Sequence, residues 1–253
     1  MPQTKPIKDP KEAIARGFAQ PFSLFRRWQK DAVRSGRFAS ADIFLLATVC
    51  AKTLRPSQRP MQLADVCDNA FLFLSTLTSR KGDQISQNKN VSLYFDWLKL
   101  DRYVMVEGEA TLVRDRHVVN SYFQKIFPSE LKCYFSAIDN NQSKVIDSEF
   151  KEKFQDLRQK ICHYKDSMIP PPDSMVLFKI EPSYFEFYEN SNEVGNVRLA
   201  YSRLVEGAKT STHTSAPSNT ASMSSRTRRQ SSLSKPQPRR GTARRLTPWS
   251  KQI

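Results

Sequence analysis

The stretch 71–85 reads Phe-Leu-Phe-Leu-Ser-Thr-Leu-Thr-Ser-Arg-Lys-Gly-Asp-Gln-Ile and joins two contrasting patterns. The apolar run Phe71–Ser75 is typical of a strand. The polar residues after it predict a short helix over Ser79–Gln87, with the hydroxyl of its first serine as the N-cap. Arg80 and Lys81 would then lie at the start of a helix, where free N–H groups and the helix dipole favour a phosphate. Taken alone, these residues also fit an exposed charged surface, which is the commoner case.

Runs of strand-forming residues recur on both sides of this stretch and predict further strands. The predicted strands are Ile43–Cys50, Arg59–Val66, Val91–Trp97, Tyr103–Val113, Met175–Ile180, Tyr184–Tyr188 and Val197–Leu204. Short strands joined by turns, with helices grouped rather than alternating with them, favour an antiparallel barrel of the α+β class, mainly β.

Two segments carry apolar residues at the spacing of a helix that faces a core. The first runs from Pro21 to a predicted stop at Gly36. Its apolar positions are Phe22, Phe25, Trp28, Ala32 and Val33. The second precedes the break made by the prolines at 170–172. Its stripe consists of Phe150, Phe154, Leu157 and Ile161.

The chain has a formal net charge of +15, and much of the excess lies near its C-terminus. Ten of the forty Lys and Arg residues, but one of the twenty-five acidic residues, lie within 206–253. Fourteen of the twenty-six residues over 209–234 are Ser or Thr, so too few apolar side chains are present to offset the entropy of folding. We therefore predict a disordered basic segment over 206–242. A nucleic-acid-binding protein is the alternative, but the tail is its only support, so we expect no nucleic-acid partner.

No residue pattern indicates a metal site, a disulfide or a membrane segment. The four cysteines lack Cys-x-x-Cys spacing and the three histidines lie far apart, which argues for reduced thiols and no bound metal. No apolar run reaches the ~18 residues that a membrane span needs. The polar residues 1–11 lack the apolar core of a signal peptide. We expect a cytoplasmic protein without a membrane partner.

Several segments resemble, in the same order along the chain, those of the pyridoxine/pyridoxamine 5′-phosphate oxidase family. The segments are Pro21–Trp28, 71–85, Asn90–Trp97, Arg102–Ala110, Tyr122-Phe123, Gln142-Ser143, Arg198-Leu199 and Arg245–Pro248. The resemblance implies an FMN-binding split β-barrel with flanking helices over 21–205, preceded by a flexible lead-in over 1–20. It makes the Ser/Thr-rich segment an insertion before a closing strand and tail over 243–253.

The resemblance also implies a homodimer with FMN at the subunit interface. In the family, FMN takes a hydride from C4′ of pyridoxine or pyridoxamine 5′-phosphate, which yields pyridoxal 5′-phosphate, and oxygen reoxidises it. The implied cofactor ligands are Arg59, Ser75, Arg80, Lys81, Gln142, Ser143, Tyr188 and Arg203. The implied substrate ligands are Tyr122, Ser129 and Arg198, and Arg198 is also the implied catalytic residue. Gln142 and Ser143 would reach the site from the partner subunit.

The chain departs from the family at positions that bind substrate. Ala64 stands where the family has a lysine, Ile126 where it has an arginine and Ala200 where it has a histidine. Tyr188 replaces a tryptophan that lies beside the flavin in the family, and Tyr103 replaces the glutamine expected after Arg102. We therefore expect FMN binding with a weakened oxidase activity. The alternative is an inactive paralogue that binds FMN or pyridoxal phosphate in a regulatory role.

One short motif lies in the predicted disordered segment. The sequence Arg228-Arg229-Gln230-Ser231 has the spacing that basophilic kinases favour, so Ser231 is a candidate phosphorylation site. A chance match in a stretch rich in serine and arginine explains it equally well.

Overall fold

The computed structural model describes residues 20–138, 148–163, 169–191, 195–203 and 249–252. Several predictions lie outside these residues. They are the lead-in before residue 20, Gln142 and Ser143, the basic segment 206–242 with Ser231, and the motif Arg245–Pro248.

Nine strands and five α-helices make up the described chain. The strands are β1 (Ile43–Val49), β2 (Pro56–Gln62), β3 (Asp65–Cys67), β4 (Ala70–Thr76), β5 (Asn90–Trp97), β6 (Arg102–Val113), β7 (Met175–Ser191), β8 (Gly195–Arg203) and β9 (Trp249–Gln252). The helices are α1 (Pro21–Ser35), α2 (Arg80–Gln87), α3 (Arg116–Ile126), α4 (Ser129–Ile138) and α5 (Ser148–His163). None of the described helices is long and apolar enough to cross a membrane.

All nine strands belong to one curled antiparallel sheet. Its main order is β2-β1-β5-β6-β7-β4-β3, with β8 paired to β7 and β9 paired to β8. At one end of this order β2 approaches β4, near the other end, without pairing to it. The sheet therefore closes into a barrel whose wall is split between these strands, which confirms the predicted split-barrel fold. The strand β9 lies within the segment where a closing strand was expected.

The strand β7 pairs with three neighbours. Met175–Ile180 pairs with β4, Tyr184–Ser191 pairs with β8, and β6 runs along nearly the whole strand. The sequence predicted two separate strands here, Met175–Ile180 and Tyr184–Tyr188, and this was wrong because they form one strand. Pro182 lies opposite Gly108 at a β-bulge, which accommodates a residue that cannot donate to the ladder. A Cβ on Gly108 would lie 2.4 Å from the Glu181 carbonyl oxygen, so the bulge requires glycine.

The predicted strand Arg59–Val66 is also divided, because the chain changes partners within it. As far as Gln62, β2 pairs with β1, whereas β3 pairs with β4. Between them, the Leu63 N–H still donates to the Asp42 carbonyl, but the Ala64 N–H donates to the Leu72 carbonyl. The chain therefore crosses the split in the barrel wall at Leu63 and Ala64.

Aromatic side chains fill the barrel, and α1 packs against them. Phe25 meets the rings of Phe71 and Phe95 edge-on, at centroid distances of 4.9 and 4.8 Å. The helix ends at Gly36, as predicted, with a φ of 62° that favours glycine. Val33, which the sequence placed with the apolar positions, is 62% exposed.

The apolar stripe of α5 packs on α4 rather than in the main core. Phe150 stacks on Phe154 at 5.7 Å and lies 5.6 Å from the Tyr134 ring. Phe154 and Leu157 are only half-buried. The prediction of a core-facing helix was therefore right about the stripe and wrong about its partner.

Arg102 ties α1 to the sheet from a position that is only 8% exposed. Its Nε and Nη2 atoms lie 2.7 and 2.6 Å from Glu189 Oε1, and its Nη1 atom lies 3.1 Å from Asp31 Oδ2. The guanidinium also packs 4.9 Å from the centre of the Trp28 ring. Removing one member of such a network leaves a buried charge without compensation.

We expect Glu189→Ala to lower the free energy of unfolding by about 3–5 kcal/mol, since Arg102 would lose its main partner. Urea denaturation measures this loss. Glu130→Ala is the matched control because Glu130 pairs with Arg158 at 3.6 Å on the surface, where a pair contributes about 0–1 kcal/mol. Equal losses in the two variants would contradict the assignment of Arg102 as a buried structural anchor.

Candidate functional site

Three predicted cofactor ligands come together at the end of the barrel where α2 begins. Arg59 projects from β2 toward β1, and Arg80 and Lys81 form the first turn of α2. Burial, and then the charge of Arg80, lower the pKa of Arg59. Burial, and then the charge of Arg59, lower the pKa of Lys81 to about 8. An anion bound among these cations would relieve their mutual repulsion.

The N-terminal cap fixes where Arg80 and Lys81 stand. The Ser79 hydroxyl accepts a hydrogen bond from the Gly82 N–H at 3.3 Å, as the sequence predicted, and donates to the Thr76 carbonyl at 2.7 Å. A Cβ on Gly82 would lie 2.5 Å from the same carbonyl oxygen, so only glycine lets the helix approach the end of β4 this closely. The cationic first turn is thereby held against the strand.

A buried polar network holds the Arg59 guanidinium. Its Nη1 donates to Thr48 Oγ1 at 2.8 Å and to the Leu46 carbonyl at 3.0 Å, and its Nη2 donates to Ser57 Oγ at 2.7 Å. Both hydroxyls donate in turn to Gln84 Oε1, Thr48 at 2.5 Å and Ser57 at 2.8 Å. Each hydroxyl thus accepts from Arg59 and donates to Gln84, which gives the arginine one defined orientation.

Sequence reasoning missed Thr48, Ser57 and Gln84. A signal was present, because Thr48 shares the inward face of β1 with Phe44 and Leu46, and its register partner Ser57 shares the inward face of β2 with Met61. Gln84 lies one helical turn after Arg80, on the buried face of α2. Polar residues at inward positions need buried partners, and a nearby arginine is the natural one.

Ser75, the last residue but one of β4, carries a hydroxyl without a hydrogen-bond partner among the described residues. The residue is 3% exposed, and its Oγ makes no hydrogen bond within the described chain. The Thr76 hydroxyl, on the other face of the strand, is in the same situation. An unsatisfied buried polar group costs roughly 1–3 kcal/mol, so the Ser75 hydroxyl fits a ligand with polar atoms at this end of the barrel.

Two other predicted site residues, Tyr188 and Arg198, lie on the outer face of the sheet. The Tyr188 ring stacks on Tyr103 at 4.6 Å, with 9° between their planes, and the Arg198 guanidinium lies 5.8 Å from the Tyr188 ring. The Tyr103 hydroxyl donates to Glu186 at 2.8 Å. Burial, and then this carboxylate, raise the pKa of Tyr103 to about 12. Strand register directs Arg59 to the inner face of the sheet. A single chain therefore does not bring Arg59 together with Tyr188 and Arg198.

The predicted substrate residue Tyr122 binds a carboxylate that sequence reasoning did not single out. Its hydroxyl donates to Asp65 Oδ2 at 3.1 Å, and Lys125 Nζ lies 3.9 Å from the same oxygen. Burial, and then Asp65, raise the pKa of Tyr122 to about 12. Ala64 and Ile126 pack with Tyr122 against an apolar cluster. The two positions that differ from the family, Ala64 and Ile126, thus both lie in apolar surroundings.

The remaining two predicted residues stand apart from these groups. Ser129 begins α4, beyond the end of α3. Arg203, at the end of β8, alternates with Arg198 onto the opposite face of the sheet. Burial lowers the pKa of Arg203, and the charge of Glu181 opposes that shift. Within the described residues, no group of three or more His, Cys, Asp or Glu side chains could hold a metal ion.

The sequence matches a family described as pyridoxamine 5′-phosphate oxidase over residues 30–155. A pyridoxine/pyridoxamine 5′-phosphate oxidase of Alteromonas mediterranea is 33% identical over 191 residues, which cover 75% of this chain and 86% of that protein. A protein of the same name from Pseudoalteromonas atlantica is 33% identical over 187 residues, covering 73% and 84%.

Solved structures share the fold at lower identity. PhzG from Burkholderia lata, in complex with tetrahydrophenazine-1-carboxylic acid, gives a TM-score of 0.64 at 22% identity, covering 74% of this chain and 89% of that one. An FMN-binding protein from Nostoc punctiforme, described as related to pyridoxamine 5′-phosphate oxidase, gives 0.58 at 18% identity, covering 73% and 92%. These two structures support the split barrel and carry no argument about substrate.

The lowered pKa of Lys81 predicts a pH dependence of stability. Folding shifts this pKa from 10.5 to about 8, so between these values the unfolded chain binds more protons than the folded one. The contribution of Lys81 to the free energy of unfolding therefore rises as the pH is raised from 8 to 10.5. Urea denaturation of wild type and Lys81→Met across this range should show their difference moving in favour of wild type. A difference that stays constant with pH would refute the buried, like-charged setting of Lys81.

Proposed function

Since the chain belongs to the pyridoxamine 5′-phosphate oxidase family, we propose that it binds FMN and oxidises a pyridoxine- or pyridoxamine-type substrate, with weakened activity on the 5′-phosphates. The observation that supports this most directly is the group of three cations, Arg59, Arg80 and Lys81, at the start of α2. A cluster of like charges in which burial and a neighbouring cation lower the pKa values of Arg59 and Lys81 is typical of a site for an anion.

The residues present fit the phosphate end of FMN. Arg59, Arg80 and Lys81 would hold the phosphate through charge-assisted hydrogen bonds, and the start of α2 adds N–H groups and a favourable dipole. The buried Ser75 hydroxyl, which has no hydrogen-bond partner within the described part of the chain, would gain one. When bound, FMN supplies a two-electron acceptor that oxygen can reoxidise.

In an amine substrate, the carbon that bears the amine would lose a hydride to FMN, and the nitrogen would lose a proton. Water would then hydrolyse the resulting imine to an aldehyde and ammonia. Oxygen takes up the two electrons and two protons and leaves as hydrogen peroxide. Arg198 would orient the substrate, and Ala200, on the same face of β8, supplies no proton-carrying group.

A second copy of the chain would complete the site. The outer face of the sheet carries Ile43 and Leu45, which are 43% and 38% exposed, and the half-buried Tyr94 and Tyr103. Packing this face against the same face of a partner would bury these side chains. Arg198 lies on this outer face, so it would face the partner subunit. In this arrangement Gln142 and Ser143 would come from the partner.

An inactive paralogue that binds FMN or pyridoxal phosphate is the second candidate function. The observation that favours it is the packing of Ala64 and Ile126 against an apolar cluster. At these positions the family carries cations that bind substrate, and here both are replaced by side chains that stabilise the fold instead. The cofactor site and the substrate site have therefore diverged to different extents.

We expect Arg80→Ala/Lys81→Ala to bind FMN about 10²–10⁴ times more weakly, because two charge-assisted bonds of roughly 1.5–3 kcal/mol each are lost. Riboflavin, which lacks the phosphate, should bind wild type and the variant with similar affinity. Titration followed by flavin fluorescence measures both ligands. Lys30→Ala/Arg34→Ala, which removes the same charge from the exposed side of α1, should bind FMN like wild type. An unchanged FMN affinity in the first variant would show that the phosphate binds elsewhere.

We expect the triple change Ala64→Lys, Ile126→Arg and Ala200→His to raise turnover of pyridoxamine 5′-phosphate at least tenfold, since each restored bond to a charged group is worth roughly 1.5–3 kcal/mol. Peroxide release by the FMN-loaded protein measures this activity. A wild type that produces no peroxide from any vitamer, together with a triple variant that does, would favour the inactive paralogue. A wild type already as efficient as the triple variant would show that other residues bind the substrate.

A further inference from the structure

Asp65 is the central group of a small polar cluster between β3 and α3. Its Oδ2 accepts the Tyr122 hydroxyl at 3.1 Å and lies 3.9 Å from Lys125 Nζ, and its Oδ1 accepts the Val66 N–H at 2.7 Å. The side chain is 37% exposed. The carboxylate is thus fixed at the surface, with room for a ligand to reach it.

The charges around Asp65 are of both signs. Lys125, which pairs with it, is 68% exposed, and solvent weakens such a pair. Arg26 and Lys30 line a hollow together with Asp65 and Asp42, and Arg26 Nη2 already donates to the Val66 carbonyl at 2.8 Å. Asp68 adds a second negative charge, and Asp65 and Asp68 together raise the pKa of the Cys67 thiol beyond the effect of burial. Lys179, which acts on the same thiol, is paired with Glu181 at 2.9 Å. Acidic and basic side chains are therefore mixed around Asp65, whereas Arg59, Arg80 and Lys81 are all cations.

We infer that Asp65 makes the end of the substrate site beside Tyr122 select against a phosphate, so that the preferred substrate is an unphosphorylated pyridoxine or pyridoxamine. The inference rests on the proposed function and on the implied role of Tyr122 as a substrate ligand, which together put one end of the substrate near Tyr122. A neutral hydroxymethyl group would donate a hydrogen bond to the Asp65 carboxylate. A phosphate dianion would meet a fixed negative charge and the apolar side chains of Ala64 and Ile126 instead.

The alternative interpretation is that Asp65 has a purely structural role and only links α3 to β3. The two interpretations differ in what Asp65→Asn would do. An asparagine oxygen still accepts the Tyr122 hydroxyl, so a purely structural tie survives the change. The substitution removes the negative charge. If that charge causes the selection against phosphate, Asp65→Asn should bind the phosphate more tightly relative to the unphosphorylated vitamer.

The test is the ratio of two dissociation constants measured on the FMN-loaded protein by calorimetry. Wild type should bind pyridoxamine at least ten times more tightly than pyridoxamine 5′-phosphate, and Asp65→Asn should shift this ratio at least tenfold toward the phosphate. Asp68→Asn is the matched control. It removes a charge three residues away in an exposed turn, where φ is 47° and asparagine is well tolerated, and it should shift the ratio less than threefold.

The outcomes separate this inference from the proposed function. Flavin absorbance of the purified protein reports FMN binding independently of either vitamer. A protein that loads FMN but prefers the phosphate, or whose ratio is unchanged in Asp65→Asn, would overturn the role of Asp65 and leave the proposed cofactor in place. A protein that takes up neither FMN nor either vitamer would overturn both.

Discussion

The strand β7 is the constraint on which the candidate site depends. Because it pairs with β4 in its first part and with β8 in its last part, it fixes Ser75 and Arg198 relative to each other. The bulge at Gly108 and Pro182 makes this possible, since it lets one continuous strand turn where its partners change. Two separate strands joined by a loop would leave the two groups of site residues without a common rigid support.

The cation group and the Asp65 cluster show two ways of placing charge in one fold. Burial and the repulsion between like charges both oppose ionisation of Arg59 and Lys81. Thr48, Ser57 and the Leu46 carbonyl accept hydrogen bonds from the arginine and hold it in place. Asp65 is held instead by donors and by a cation. The first arrangement brings cations together, whereas the second pairs a carboxylate with a cation and a hydroxyl. This contrast is why we assign cofactor binding to one and selection against a phosphate to the other.

Elements whose determinants are close in sequence could be predicted, and contacts between distant segments could not. The start of α2 was correct because the serine cap and its partner N–H are three residues apart. The same holds for the end of α1 at Gly36. The bond from Tyr122 to Asp65 joins residues 57 positions apart, and only the packing of α3 on the β3–β4 hairpin creates it. The continuity of β7 was missed because Pro182 has the local signature of a turn, and the glycine that accommodates it lies on another strand.

The connection between β8 and β9 is unusual for neighbouring antiparallel strands. Arg203 and Trp249 are register partners, yet the chain between them spans residues 204–248. By the logarithmic growth of chain-closure entropy, lengthening a four-residue turn to this size costs only about 2 kcal/mol. In evolutionary terms, the end of this hairpin is a place where a gene can accept inserted sequence without remodelling the barrel. Natural selection can then act on the connecting residues and on the barrel separately.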